Sequence, residues 1–230
     1  MPANKTLLFW SGGKDSALAL YYLLKDEQFK VERLITHVSV PLNRICMHGV
    51  RSTLLIKQWE SVGLQGEIIE LPEKSDNQTY ERITCEKLKK LVEEGFTHVA
   101  FGDIFLEDLR NYRKTIFEPL GVQCVFPLWN FNTHQVLREI ISLGFGVVTV
   151  SINADVFDMN FIGRVIDDEF IKDFPTGADP CGENGEYHTF CFKGPYFKKT
   201  IDYIKGDIVL KNYSTGTTTQ NFWFCDLLEA

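Results

Sequence analysis

The sequence predicts an α/β fold in which a parallel sheet with flanking helices is followed by a smaller α+β portion. Short apolar runs alternate with longer segments of helical period, the signature of β-α units around a parallel sheet. That rhythm changes after Pro127-Leu128-Trp129, where a further helix and strand lead into a Gly-rich stretch. The 230 residues are 44% hydrophobic and 24% charged, as in globular chains and unlike disordered or fibrous ones. Length allows one large domain or one domain with a smaller appendage, so the expected division is residues 1–130 and 131–230.

Strands are expected at Thr6–Trp10, Leu34–Val40, Glu67–Leu71, His98–Gly102 and Cys124–Phe126, each a short apolar run bounded by turn signals. The helices between them are expected near Asp15–Lys25, Val50–Val62, Gln78–Glu94 and Glu107–Leu120. In the last, Leu106, Leu109, Ile116, Phe117 and Leu120 fall near one face, with Arg110, Arg113 and Lys114 on the other. In the third, Glu86 precedes Lys89 and Lys90 at helical spacing, which marks a solvated face rather than a binding patch. Beyond the boundary the pattern predicts a helix over Thr133–Leu143, a strand over Val147–Ser151 and a helix near Gly163–Asp173. A Gly-rich turn and short strands then run to the end, and the Thr-rich stretch Thr215–Thr219 reads as a hairpin loop.

Composition narrows the function. The 24 basic and 31 acidic side chains leave a formal charge of -7 and no basic run, which argues against a nucleic-acid scaffold. No apolar stretch approaches the roughly 18 residues of a membrane span, and no signal-peptide pattern follows Met1, so a cytoplasmic protein is expected. Cys46, Cys85, Cys124, Cys181, Cys191 and Cys225 form no C-x-x-C pair, which speaks against a zinc ribbon, a dithiol redox site and paired-cysteine sulfur transfer. Cys181 is read as structural, since no base stands fixed beside it.

The segment Leu7–Leu20 reads as a buried strand, a glycine turn and a helix start. Glycines let the backbone turn tightly and approach a ligand, while a helix N-terminus presents unpaired N–H groups and a positive dipole end. Anionic phosphate fits there. Trp10, Ser11, Gly12, Gly13, Lys14, Asp15 and Ser16 form this candidate site, with hydroxyls for phosphate oxygens, Lys14 as a point charge and Asp15 as a cap or a magnesium ligand. The spacing is not that of a Walker loop, which needs G-x-x-x-x-G-K-[ST].

Two later segments concentrate polar groups between apolar elements, Gly102–Arg113 and Asp179–Phe190. Asp103 falls at the carboxyl end of the fourth strand, where ligands bind in parallel sheets, and serves there as a magnesium or nucleotide contact or as a helix cap. Gly182 and Gly185 can turn Glu183, Glu186 and His188 towards one point, although a hydrated hairpin loop uses similar residues. His48, just past the second strand, is either near the nucleotide or a solvated loop histidine.

Ser11-Gly12-Gly13-Lys14-Asp15-Ser16 resembles the pyrophosphate loop of the ATP pyrophosphatase superfamily. Cys181-Gly182-Glu183-Asn184-Gly185-Glu186-Tyr187-His188-Thr189 resembles the Cys-Gly-Glu-Gly-Gly-Glu-Tyr-Glu-Thr signature of the diphthine-ammonia ligase family, a branch of that superfamily. With Gly102-Asp103 and Pro127-Leu128-Trp129, the resemblance spans nearly the whole chain. It implies a Rossmann-like, adenine nucleotide alpha hydrolase-like domain before a smaller substrate-binding domain. It also implies ATP with Mg2+, cleaved to AMP and pyrophosphate as a carboxylate is adenylated and joined to ammonia. Lys14, Asp15 and Asp103 would then be catalytic, Asp15 and Asp103 would hold the metal, and the loop from Trp10 to Ser16 with His48 and Gly102 would hold the nucleotide. Arg110, Gly182, Glu183, Asn184, Glu186, His188 and Thr189 would shape the acceptor site.

The sequence departs from the signature at Asn184 and His188, and the ligase pattern Tyr-x-Arg-x-Arg aligns with Asp108-x-Arg110-x-Tyr112. These departures fit a paralogous branch acting on a small metabolite such as a corrinoid precursor. A nucleotide-binding module without turnover and a tRNA-modifying enzyme of the same superfamily are the competing readings, the acidic balance standing against the second. Expected partners are the carboxylate substrate and ammonia, with neither nucleic acid nor membrane, and a homodimer is allowed but not specified.

Overall fold

The computed structural model describes residues 2–72, 75–215 and 218–230. Its first sheet joins β1 (Asn4–Phe9), β2 (Phe29–Ser39), β4 (Gln65–Leu71), β5 (His98–Ala100) and β6 (Gln123–Val125), all parallel in the order β4-β2-β1-β5-β6. A short β3 (Arg44–Ile45), absent from the sequence reading, pairs antiparallel with the end of β2. Side chains alternate across this sheet as the strand pleat requires. Leu7, Ile35 and Val99 pack with Leu88 and Leu91 of α3 (Asn77–Glu93) and Phe117 of α4 (Glu107–Phe117). Leu8, Leu34 and Ala100 face the other way, onto α1 (Lys14–Lys25) and α2 (Ser52–Val62). The chain proceeds from β1 outward to β2 and β4, then crosses to β5 on the other side of β1. The crevice at the carboxyl ends of β1 and β5 is therefore the switch point where such sheets bind ligands.

The second sheet is antiparallel, with β7 (Gly146–Asn153), β8 (Tyr187–Lys193), β9 (Tyr203–Thr215) and β10 (Thr218–Glu229) in the order β8-β7-β10-β9. A helix, α5 (Thr133–Ser142), precedes it, and Asn132 caps that helix by accepting the Gln135 N–H at 3.1 Å. Two expectations are corrected here. The helix expected from Gly163 begins only at α6 (Asp168–Asp173), because Gly163 has φ +69° and the next residues pair with β7: the Ile166 N–H donates to Val147 O at 2.9 Å. Of the short strands expected after the Gly-rich turn, β8 is short, with 7 residues, but the last two are one long hairpin of 13 and 12 residues. Of the expected loop Thr215–Thr219, residues 216–217 lie outside the described residues, and Thr215 and Thr218 are paired strand residues.

One buried cluster runs from Leu8 and Trp10 through α1 and α2 to Val147, Val150 and Phe190 of the second sheet, so the two sheets share a core. Asp226 on β10 adds a charged clamp, accepting from Arg44 Nη1 at 2.7 Å and Arg51 Nη2 at 2.6 Å. Burial alone would raise this carboxyl, but the two guanidiniums hold it well below the usual range. Among the described residues, no helix is long and apolar enough to cross a membrane.

Candidate active site

The turn after β1 owes its shape to glycine. Gly12 adopts φ +78°, a left-handed conformation that side chains resist, and Gly13 in extended conformation is the N-cap of α1. The first intrahelical acceptor is Gly13 O, bonded by the Ala17 N–H at 3.1 Å, which leaves the earlier N–H groups of α1 without partners inside the helix. The two hydroxyls of the loop lie together, Ser11 Oγ 3.2 Å from Ser16 Oγ, and Ser16 Oγ donates to Gly13 O at 3.0 Å. Behind the loop, Gln58 is fully buried and donates from Nε2 to Gly12 O at 2.9 Å and to Cys191 O at 2.7 Å. Its Oε1 accepts the Trp10 indole N–H at 3.0 Å.

The second sheet delivers β8 directly onto this loop. Thr189 Oγ1 accepts the Lys14 backbone N–H at 3.0 Å, and the Cys191 N–H donates to Gly12 O at 2.8 Å. The turn before β8 is held by Asp179, whose Oδ2 accepts the Cys181 N–H at 3.1 Å and the Glu183 N–H at 3.0 Å. Gly182, at φ +67°, admits no side chain: a Cβ there would stand 2.6 Å from the Tyr187 ring. Glu183 then reaches across to the first sheet, where its Oε1 accepts the Ile104 N–H at 2.7 Å. Gly102 is equally constrained, since a Cβ would lie 2.9 Å from the Asp15 carbonyl carbon.

These parts surround a cavity of about 680 Å³, within the size range of small-molecule sites. Its lining combines polar groups, among them Ser11, Lys14, Asp15, Ser16, Glu183 and Thr189, with the rings of Phe9, His37, Tyr80 and Phe101. Lys14 is 2% exposed, and its Nζ bonds Asp15 Oδ2 at 2.8 Å and the Cys181 carbonyl. Burial opposes its charge most strongly of any single cause, but Asp15, Tyr187 and Cys181 together outweigh it and raise the Lys14 pKa, so the ammonium persists. Burial raises Asp15, with Lys14 pulling it back. Glu183 is pushed up to about 7, first by burial and then by the nearby Asp15 charge. His48 Nδ1 donates to Thr189 O over 2.8 Å, and its ring lies 4.7 Å from that of His188. Burial lowers His48 to about 4 and His188 well below its ordinary value, so both rings are neutral at pH 7.

Of the residues the sequence singled out, Trp10, Ser11, Lys14, Asp15, Ser16, His48, Gly102, Asp103, Gly182, Glu183, His188 and Thr189 line this one cavity. Gly12 and Gly13 form the turn between Ser11 and Lys14 but are not among the lining residues. Arg110 does not reach it: its guanidinium stacks 4.4 Å from the Trp129 ring and 5.5 Å from that of Phe126. Glu186 and Asn184 bond each other at 3.1 Å and brace the turn, with Glu186 Oε1 also accepting the Asp179 N–H at 2.9 Å. Sequence reasoning passed over Arg113, which it placed on the helix face opposite the apolar residues. Arg113 turns inward and grips Asp103, with Nη2 donating to Oδ1 at 3.0 Å and Nε to Oδ2. Spacing held a signal for this, since Arg113 falls on the turn of α4 after Leu109, another cavity residue.

The residues present fit an ATP-Mg2+ pair in part. Asp15 lines the cavity, and its Oδ1 is buried without a hydrogen-bond partner. Magnesium commonly takes one or two carboxylates, completing its shell with phosphate and water. Asp15 meets that need alone; Asp103 has both oxygens committed to Arg113, against its expected role as a metal ligand. No cluster of three or more His, Cys, Asp or Glu able to hold a metal occurs among the described residues.

The N-terminal domain of diphthamide synthase matches residues 4–124, and the C-terminal domain of diphthamide synthase matches residues 132–221. Human diphthine–ammonia ligase is 29% identical over 138 residues, which is 57% of this chain and 49% of that protein. The Bos taurus diphthine–ammonia ligase is 28% identical over 137 residues, 56% of this chain and 49% of that protein. The chain thus spans about half the length of the curated relatives it matches. Among solved structures, a U34-tRNA thiolase from Methanococcus maripaludis aligns at 22% identity with a TM-score of 0.38, covering 62% of this chain and 58% of that one. With both halves matched around a shared cavity, the chain belongs to the diphthamide synthase family.

Proposed function

We propose that the protein is an ATP-dependent ligase that adenylates a substrate carboxylate, releases pyrophosphate and forms an amide with ammonia. The observation that carries this reading is the joining of two distant motifs: Thr189 Oγ1 holds the Lys14 N–H at 3.0 Å and Glu183 reaches the Ile104 N–H at 2.7 Å, so loop and turn face one cavity. Similarity to proteins named diphthine–ammonia ligase supports the same class.

In this reading the free N–H groups of α1, the Ser11 and Ser16 hydroxyls and the Lys14 ammonium hold the departing pyrophosphate. Asp15 holds magnesium, which when bound offsets phosphate charge. A carboxylate oxygen of the substrate attacks the α-phosphorus as the bond to the pyrophosphate oxygen breaks. Ammonia then attacks the acyl carbon, AMP leaves, and the excess proton passes to solvent. Glu183 and the neutral His48–His188 pair face the acceptor. Because a neutral histidine stands where the family signature has Glu, an acceptor other than diphthine, such as a corrinoid precursor, belongs in the test beside diphthine.

The test is release of pyrophosphate and AMP from Mg-ATP, with and without ammonium, across carboxylates that include diphthine-bearing protein and corrinoid precursors. Release that depends on one carboxylate and yields its amide is expected. ATP binding with no product from any of them would replace the ligase with a nucleotide-binding module.

A further inference from the structure

His48 belongs to a loop closed on itself. Its backbone N–H donates to Cys46 O at 2.8 Å, the Gly49 N–H donates to Ile45 O at 2.9 Å, and Gly49 O accepts Arg44 Nη1 at 2.7 Å, an arginine held by Asp226 of β10. The ring is fixed as well. Its Nδ1 donates to Thr189 O at 2.8 Å, and because a carbonyl oxygen only accepts, the proton of the neutral ring is on Nδ1 and Nε2 keeps its lone pair. Cε1, the carbon beside Nε2, lies 2.8 Å from where a Gly13 Cβ would stand, so this lone pair borders the phosphate loop.

The His188 ring stands beside it, 4.7 Å away at a tilt of 38°. Both residues line the cavity, and neither His48 Nε2 nor the His188 ring nitrogens have a hydrogen-bond partner among the described residues. Burial above all keeps both rings uncharged, and the Lys14 charge further opposes a cation there. His188 also stands where the family signature has Glu, so a neutral acceptor replaces a carboxylate that would favour ammonium. These groups suit a small neutral molecule that offers N–H groups to ring nitrogens and keeps a lone pair of its own. Ammonia is such a molecule, and unlike ammonium it has the lone pair that attack requires.

Given the ligase reading, on which this rests, we propose that His48 and His188 form the ammonia site, with His48 Nε2 accepting one N–H of ammonia and then its proton, and His188 accepting a second N–H. The ammonia lone pair forms the C–N bond to the acyl carbon, and the C–O bond to AMP breaks with its electron pair on the phosphate oxygen. One N–H proton moves to His48 Nε2 and from there to solvent. The anionic phosphate of the acyl group's leaving AMP favours the protonated ring at that moment.

His48→Asn separates the two ring nitrogens, because the Asn carboxamide can donate to Thr189 O in place of Nδ1 but leaves nothing at Nε2. With the carboxylate that gives an amide in the panel above, kcat/KM for ammonium chloride should fall about 100-fold, the usual worth of a positioned base. Hydroxylamine is largely unprotonated at pH 7 and attacks an activated acyl group without a base, so hydroxamate formation should be retained. His188→Phe keeps a ring without its nitrogens and should lower kcat/KM for ammonium about fivefold, the worth of one neutral hydrogen bond, again with hydroxamate retained. Nitrogen-15 NMR of histidine-labelled protein should show His48 as the Nδ1–H tautomer, assigned by its loss in His48→Asn, whatever reaction the cavity performs. An Nε2–H tautomer, ammonium kinetics in His48→Asn equal to the parent's, or loss of hydroxamate together with amide in that variant would overturn the ammonia site and leave the ligase reading in place. No hydroxamate from the parent with any carboxylate would instead remove the ligase reading, and the ammonia site with it.

Discussion

Gln58 offers a test of how the phosphate loop is held, apart from any group that meets a ligand. Its carboxamide is fully buried and makes three hydrogen bonds, to Trp10 Nε1 at 3.0 Å, Gly12 O at 2.9 Å and Cys191 O at 2.7 Å. Gln58→Leu nearly keeps the volume and deletes all three. Gly12 O retains the Cys191 N–H at 2.8 Å, but the buried indole N–H loses its partner and two carbonyls each lose a donor. A buried polar group stripped of its partner costs about 1–3 kcal/mol and an ordinary bond about 1, which sums to about 3–5 kcal/mol. That is a large part of the roughly 5–15 kcal/mol that keeps a typical domain folded. With a urea slope of about 3 kcal/mol per molar, the midpoint should fall by 1 M or more. Tryptophan fluorescence during urea unfolding measures the shift, and calorimetry with ATP on the folded variant should show weakened binding, since the Gly12 carbonyl loses one of its two anchors. A midpoint within about 0.2 M of the parent would refute the reasoning, as the difference would be less than one hydrogen bond.

Ser16→Ala should abolish pyrophosphate release while circular dichroism and the unfolding midpoint stay near the parent, and Asp15→Ala should abolish it while lowering the midpoint, because it strips the buried Lys14 ammonium of its carboxylate; normal turnover in either would remove the loop from the reaction. Arg113→Met should destabilise the fold by about 3 kcal/mol, because it leaves the Asp103 carboxylate largely buried without its cation, and adding Asp103→Asn should recover part of the loss in the same urea assay. Glu183 is raised in the fold from 4.5 to about 7, so the stability it contributes is complete below pH 4.5 and is lost as pH rises to 7. Glu183→Gln should therefore stabilise the protein at pH 8, by up to about 3 kcal/mol, and leave it unchanged at pH 4. His48 has the opposite sign: lowered from 6.5 to about 4, it supports stability above pH 6.5 and withdraws it as pH falls to 4. His48→Gln should flatten the acid side of the curve; an unchanged profile would mean that the ring is not buried neutral.

What the sequence determined by itself is whatever a few neighbouring residues can decide. The phosphate loop is legible because strand, glycine turn and helix N-terminus occupy one short stretch, and because Gly12 at φ +78° answers a local steric demand. The first sheet is legible for a similar reason, since paired apolar residues such as Leu7-Leu8 and Leu34-Ile35 supply both faces of a buried strand. Period failed where pairing competed with it: residues 163–166 pair with β7 instead of coiling, since the buried Ile166 N–H finds its acceptor there. The tertiary structure alone decided who partners the buried polar groups. Thr189 meets the Lys14 N–H across 175 residues, and Gln58, which lacks any motif, ties both sheets to the loop. Arg110 and Arg113 share a helix and a charge, yet Arg110 stacks on Trp129 while Arg113 pairs with Asp103. Helical spacing places both on the same polar side, and only the neighbours brought in by packing give one an aromatic face and the other a buried carboxylate, which a burial-averse guanidinium needs before it can turn inward.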